Sequence, residues 1–445
     1  MRFLIVSLLI LTTNLFATTL TVPDNFETIQ EAIDESEDGD TVLVAQGEYM
    51  ENINFNGKNI SVVGNPDNPH EVIINGGGDG SVVVFSHRES SQTLLSGFTL
   101  TNGSTSSGGG IYCTYSSPTL RNLYISDNEA TSSGGGLYCT GYQLVLQDVV
   151  FHNNSARSGG GIHSTVSVLE LQNVSITQNT AELGGGAYFS NVRDSRLDMN
   201  YVLISRNSAD HYGGIFLSGV ERADLNKVTI TDNSDERLGV WVGGYRIETY
   251  IRNSIVTDDV DLYIGDHAIM WNLLTISYTD LYSVRIFVDD DRQVNYGSGI
   301  IRENPNFVDP EQGDYRLTED SPCIDAGDPN SPRDPDGTRA DMGADYYHLP
   351  NGIATPDEGQ IPDSFSSKVF PNPFNNAFNI MLPAENRGSV MVSIFDINGR
   401  KVFQTNHSSN VGIVSIDATN FPTGEYILHL KSDQYSQTIP VSCLK

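Results

Sequence analysis

The 445-residue sequence predicts an all-β protein, a parallel β-solenoid followed by a small C-terminal domain of its own. Three observations carry that prediction. A glycine-rich unit, Gly108-Gly109-Gly110-Ile111-Tyr112-Cys113, returns as Gly134-Gly135-Gly136-Leu137-Tyr138-Cys139, Gly159-Gly160-Gly161-Ile162-His163-Ser164 and Gly184-Gly185-Gly186-Ala187-Tyr188-Phe189. Worn copies follow at Gly213-Gly214-Ile215-Phe216-Leu217 and Gly239-Val240-Trp241-Val242, and the residue after the glycines advances by 26, 25, 25, 28 and 25. A second row, Leu100, Ile125, Phe151, Ile176, Ile204, Ile230 and Ile255, advances by 25, 26, 25, 28, 26 and 25. The step of 28 falls at the same coil in both rows, so a single insertion is shared. A fixed period in the twenties is the mark of a solenoid. The third observation is composition: β-branched and aromatic residues with glycine corners and few helix-forming runs make the coil a β-coil.

Each element of the repeat has a physical task. Glycine supplies φ > 0 and close approach at the corner. Asn128, Asn154, Asn179, Asn207, Asn233 and finally Asp258 follow three residues after the second row; asparagine tolerates the left-handed region, and its amide can hydrogen-bond along a stack of equivalent turns. Along the strands, Leu120, Leu144, Leu169, Leu197, Leu225 and Ile251 point one way, and Arg121, Glu170, Asp198, Asn226 and Arg252 point the other. Coils stacked about 4.8 Å apart turn the inward aliphatic positions into one continuous core.

In chain order, residues 1–17 read as a secretory signal peptide: Met1-Arg2, the apolar run Phe3–Leu11, then Leu15-Phe16-Ala17. A membrane-spanning helix needs about 20 apolar residues, so no transmembrane segment is expected after cleavage. Residues 18–64 form an N-terminal cap and first coil, with helical spacing at Phe26, Ile29, Ala32 and Ile33 ahead of Thr41-Val42-Leu43-Val44. A cap is required because an open solenoid end is an unpaired edge. The repeats occupy 95–260 within a solenoid of 18–345. Between 286 and 345 there are fifteen Asp/Glu against five Arg, and 300–345 reads as a closing acidic module of last coils and a C-terminal cap. Residues 346–366, rich in Pro and Gly, form a linker, and 367–445 a separate domain.

The Gly-Gly-Gly-Ile-Tyr unit paired with Phe151-His152-Asn153-Asn154 or Ile176-Thr177-Gln178-Asn179 resembles the repeat of polymorphic outer-membrane proteins, which implies a right-handed parallel β-helix of the pectin-lyase-like group. The cap, with Gly47-Glu48-Tyr49 after it, is similar to the N-terminus of that group. The run Asn304–Pro310, Ser321–Asp328 and Gly343-Ala344-Asp345 is similar to the closing module of secreted bacterial β-helices. In the tail, Val369-Phe370-Pro371-Asn372-Pro373, Val392–Val402 and Gly424–Lys431 resemble the C-terminal sorting domain of type IX secretion substrates, a small β-sandwich. That resemblance implies the type IX machinery as a partner, and a secreted or cell-surface location reached across both membranes.

Net charge is −31, and residues 368–445 hold six Lys/Arg against five Asp/Glu, so the acidity belongs to the solenoid. Such a surface repels nucleic acid and bare anionic membrane and suits divalent, neutral or cationic partners. Three constellations are candidate sites. Tyr112, Tyr138, His163, Tyr188, Phe216 and Trp241 face outward by parity, one per coil, and could bind sugar rings or a partner's side chains, or stack on one another. Glu170, Asp198 and Asp224 fall on successive coils beside Arg196 and Arg222; the resemblance implies calcium held by such carboxylates and a basic side chain acting as proton acceptor in a lyase, against plain inter-coil ion pairing. Asp258-Asp259 is similar to part of a polygalacturonase acid pair, whose companion motifs are missing. Asp325, Asp328, Asp334, Asp336 and Asp341 are a candidate calcium site or a solvated acidic loop. Cys113 and Cys139 occupy equivalent inward positions one coil apart, open to a disulfide or to two stacked buried thiols.

The functional expectation is a secreted or surface-displayed β-helix that binds carbohydrate, such as a polysaccharide or cell-surface glycan, or another surface partner in the manner of an adhesin. The alternatives are a polysaccharide lyase or hydrolase acting on acidic polysaccharide, and a passive structural surface protein, because this fold hosts all three.

Overall fold

A computed structural model describes residues 17–190, 195–235, 240–243, 248–257, 261–265, 273–288 and 293–347, and within the C-terminal part 368–370, 377–381, 389–396, 400–408, 413–419, 421–422, 424–431 and 436–443. Residues 1–16 of the expected signal peptide, Asp258-Asp259 and most of the linker lie outside these residues. By contacts the chain divides into two units, Thr19–Glu358 and a second built on Gly359–Lys445.

The period becomes a coil because two kinds of corner recur in register. Gly108, Gly134, Gly159 and Gly184 all sit at φ of 66–69°, the conformation that glycine adopts without a steric penalty. The second glycine is needed for space: a Cβ on Gly135 would lie 2.5 Å from the Ser155 carbonyl oxygen and 2.6 Å from that of Gly160 in the next coil. The third glycine faces the asparagine column, and a Cβ on Gly161 would lie 3.1 Å from Asn179 Nδ2. In the worn copy Tyr212 takes the left-handed position itself, at φ 62°.

At the opposite corner the left-handed residue is the one before the recurrent asparagine: Asp127, Asn153, Gln178, Arg206 and Asp232 all have φ near 55°. The asparagines instead point inward and form a ladder, Asn128→Asn154→Asn179→Asn207→Asn233, with each Nδ2 donating to the next Oδ1 at 2.9–3.0 Å. Each Oδ1 also accepts the preceding asparagine's backbone N–H, as Asn179 does from Asn154 at 2.9 Å. Buried polar groups demand partners, and this ladder supplies them coil by coil.

Between corners the strands pair in parallel, Ile111↔Leu137↔Ile162↔Ala187↔Ile215↔Val240 on one face and Leu120↔Leu146↔Leu171↔Met199↔Leu225↔Ile251 on the next. The inward row expected from sequence therefore mixes two columns, since Leu144, Leu169 and Leu197 pair among themselves, two residues from the Leu120 column. An offset of two preserves parity, so all remain in the core. Ile255 is off by one: Ile230 pairs with Val256, and Ile255 aligns with outward Thr229.

At the N-terminal end, helix Ile29–Glu35 buries Ile29, Ala32 and Ile33 against the core. Thr28 caps it by accepting from Glu31 N, and the Glu51 carboxylate accepts from Ile29 N and Gln30 N at 3.0 Å each. Lys58 Nζ donates to Ile33 O and Ser36 O at the other end. The acidic closing segment departs from expectation. Instead of only adding coils it folds back along the flank, where Arg206 Nη2 donates to Pro310 O at 2.6 Å, Tyr315 OH donates to Asp232 at 2.6 Å, and Asp328 N donates to Asn253 Oδ1 at 2.6 Å. Lys227 and Asp334 form an ion pair beneath it with both side chains almost fully buried. This strap covers Ile255, which joins Leu317, Cys323 and Met342 in a satellite core.

The C-terminal unit has a three-stranded and a four-stranded antiparallel sheet sharing one core that includes Phe378, Ile380, Val392, Ile394, Leu428 and Val441. Among the described residues, no helix is long and apolar enough to cross a membrane.

Candidate functional site

The outward aromatic column exists, and its geometry limits what it can bind. Tyr112, Tyr138, His163, Tyr188 and Phe216 lie in register, each half-buried. Their ring centroids are 5.6, 5.4, 4.7 and 4.8 Å apart in order, with planes inclined by 13–33°. Coil spacing is also ring-stacking distance, so the faces of Tyr138, His163 and Tyr188 are occupied by neighbours and only their edges meet solvent. A sugar cannot lie flat on those inner rings. Burial pushes the His163 imidazole down to about 4, with Ser158 Oγ 3.0 Å from its Nδ1. Trp241 aligns with Phe216 by backbone register, and its side chain lies outside the described residues.

The second constellation converges. Glu170, Asp198 and Asp224 form one register column, with Tyr250 next in line, and Gln172, Asn200, Asn226 and Arg252 form the column two residues on. Arg196 and Arg222 stand on the other side. Apart from Tyr250, these residues line an open groove of about 410 Å³ on the outer face of five coils. Side chains within it are held by one another. Arg196 Nε bonds Asp198 at 2.7 Å, Arg222 Nε bonds Asp224 Oδ2 at 2.6 Å, and Arg252 Nη2 approaches Asp224 Oδ1 at 3.8 Å. Arg222 also lies over the Tyr250 ring at 4.8 Å. Asn253 donates to Asn226 and Asn226 to Asn200, at 2.8 and 2.9 Å, and Gln143 Nε2 donates to Glu170 at 3.0 Å. Bonding to Asp198 and Asp224 lifts the Arg196 and Arg222 guanidiniums above their ordinary value. What the groove offers is a fixed array of carboxylate, guanidinium and carboxamide groups repeated at coil spacing.

The five closing-segment aspartates do not meet. Asp334 is engaged with Lys227 and with the Asp341 amide, Asp341 accepts from Asp325 N and Tyr347 N at 2.6 Å each, Asp328 from Asn330 N, and Asp336 from Thr338 N. Among the described residues no three His, Cys, Asp or Glu side chains gather as a metal site. In this arrangement these carboxylates brace turns of the strap. Cys113 and Cys139 pair in register as separate buried thiols, and burial pushes Cys139 up to about 12.

Sequence reading missed Asn200 and Arg252 as groove residues, and Tyr250 and Gln143 as the side chains that touch Arg222 and Glu170. Applying the 26-residue step to Asp224 would have found Tyr250, and applying it to Asn226 would have found Arg252; Gln143 needed the register of the strand Leu137–His152.

Comparison with known families agrees with this architecture. Residues 368–441 match the secretion system C-terminal sorting domain, and residues 122–140 and 148–165 match the Chlamydia polymorphic membrane protein repeat. No curated protein matches the chain. The chain is a parallel β-helix repeat protein with a C-terminal type IX sorting domain, which assigns it to the secreted or surface-displayed class and implies contact with the secretion machinery.

Proposed function

We propose that this surface or secreted β-helix binds glycan along the groove of Glu170, Asp198, Asp224, Arg196, Arg222, Asn200 and Asn226. The observation that carries the reading is the groove itself, whose hydrogen-bonding groups recur in register on consecutive coils and are locked by mutual bonds before any ligand arrives. Pre-organised donors and acceptors lose little entropy on binding, and a periodic array suits a periodic ligand. In this reading the aromatic column, whose inner ring faces already stack on one another, is not the primary contact.

The test is affinity electrophoresis of the full chain through gels carrying a panel of polysaccharides. The wild type is retarded by at least one of them, and Asp224→Ala combined with Asn226→Ala removes that retardation while the circular dichroism spectrum stays unchanged. Mobility unaffected by every glycan, or by the double substitution, would overturn the assignment. A lyase is the second reading, favoured by three carboxylates stacked in one groove. Its discriminating result is ultraviolet absorbance from unsaturated products on polyuronate with calcium.

A further inference from the structure

Two tyrosines flank the stacked column without joining it. Tyr115 and Tyr142 are 63% and 67% exposed, and neither side chain makes a ring stack or a hydrogen bond among the described residues, though the Tyr115 hydroxyl is near enough to Tyr138 to act on it electrostatically. Large aromatic side chains in this condition on adjacent coils call for an explanation.

The backbone presents Tyr115 deliberately. Thr114 pairs with Thr140, and Tyr115 N donates to Thr140 O at 2.8 Å, which sets Tyr115 over Gly141 and Gly141 over Val166. Val166, at the equivalent place, is buried at 6%. Tyr115 escapes that fate because it is left-handed, at φ 53°, a conformation costly for a bulky side chain. Gly141 makes room beneath it, since a Cβ there would lie 3.0 Å from both Tyr115 Cα and N. Tyr142 follows immediately, and the next residue, Gln143, bonds Glu170 at the end of the groove. Tyr142 is thus one residue in the chain from the side chain that holds the Glu170 end of the groove, and Tyr115 lies one coil nearer the N-terminus.

Charge narrows the ligand. The groove carries three carboxylates, Glu170, Asp198 and Asp224, against three guanidiniums, Arg196, Arg222 and Arg252, so it has no net attraction for a polyanion. The chain as a whole, at −31, repels one. We infer that Tyr115 and Tyr142 form a stacking platform that extends the groove and selects a neutral glycan, whose sugar rings lie on the free ring faces while their hydroxyls reach the amide and charged array. This rests on the groove reading and adds to it both the residues and the ligand class.

The experiment runs the full chain through gels containing a neutral β-glucan, a neutral xylan or polygalacturonate. Retardation by a neutral glycan and not by polygalacturonate is the expected result. Tyr115→Ala/Tyr142→Ala then raises the apparent Kd about tenfold, the combined effect of losing two ring contacts, and Tyr142→Trp retains binding. Both side chains are exposed, so an unchanged circular dichroism spectrum accompanies the loss. If the double alanine variant binds as the wild type does while Asp224→Ala/Asn226→Ala abolishes retention, the platform is overturned and the groove stands. Retention by polygalacturonate alone overturns the neutral-glycan assignment, and retention by none of the three overturns platform and groove together.

Discussion

Asn179 sits at the middle of the buried asparagine ladder with no exposed surface, and replacing it with Ala tests whether that ladder holds the coils together. Its Oδ1 accepts from Asn154 N at 2.9 Å and Asn154 Nδ2 at 3.0 Å, and its Nδ2 donates to Phe151 O at 3.0 Å and Asn207 Oδ1 at 2.9 Å. In Asn179→Ala the Asn154 backbone N–H loses that side-chain acceptor inside the core, at a cost of about 1–3 kcal/mol, and the remaining lost bonds contribute about 1 kcal/mol each where no substitute forms. Asn154 Nδ2 keeps Ile125 O, and Asn207 Oδ1 keeps Asn179 N, so only the Phe151 carbonyl adds to the amide penalty and the total is about 2–4 kcal/mol. The assay is urea unfolding of the full chain followed by far-ultraviolet circular dichroism, with hydrogen exchange at the Asn154 amide as the local reporter. Glu182→Ala, which removes an exposed ion pair with Arg157 on the same coil, is the control and costs less than about 1 kcal/mol. An Asn179→Ala penalty no larger than that of Glu182→Ala, or unaltered exchange at Asn154, would refute the account of the ladder.

Three further outcomes follow from charge and burial. His163 is held near 4, below its unfolded value of about 6.5, so its contribution is complete above pH 6.5 and declines as pH falls toward 4; His163→Phe should lose less stability than the wild type between pH 7 and pH 5 in urea titrations, and equal losses would count against it. Asp280, pushed up to about 6 by burial beside Cys323, with Glu303 and Arg302 facing it, is penalised above pH 6 and relieved as pH falls toward 4. Asp280→Asn should therefore stabilise at pH 7.5 with the gain gone by pH 4, and a gain that is independent of pH would contradict this. Lys227→Met leaves Asp334 as an unpaired buried charge and destabilises strap docking by about 3–5 kcal/mol, whereas Lys227→Met/Asp334→Leu recovers most of it. Limited proteolysis near residues 310–345 reads this directly, and equal protection in the single variant would exclude the pair as an anchor.

The periodic part of the molecule was readable because its constraints are local and repeated. Gly135 can only be glycine when the next coil's carbonyls stand 2.5–2.6 Å from where a Cβ would be, and Asn179 only fits where another asparagine lies above and below. Register failed where this repetition lapsed. Shifting Ile255 by one residue sent it outward, and nothing in its own coil revealed that the strap would cover it. The aspartates of the closing segment were legible as charge but their partners were not: Lys227, over 100 residues away, and the Asp325 and Tyr347 amides take up two of those carboxylates.

The sequence by itself determined the coil, its period, its inward columns, its asparagine ladder and the sorting domain, because each follows from residue types recurring at one spacing. Tertiary structure alone decided that the outward rings turn their faces to each other, that three carboxylates and three guanidiniums share one groove, and that the acidic tail folds back as a strap. Stacking fixes neighbours along the solenoid axis by period. Which side chains meet across a corner, or beneath a returning segment, depends on distances that no spacing in the chain encodes.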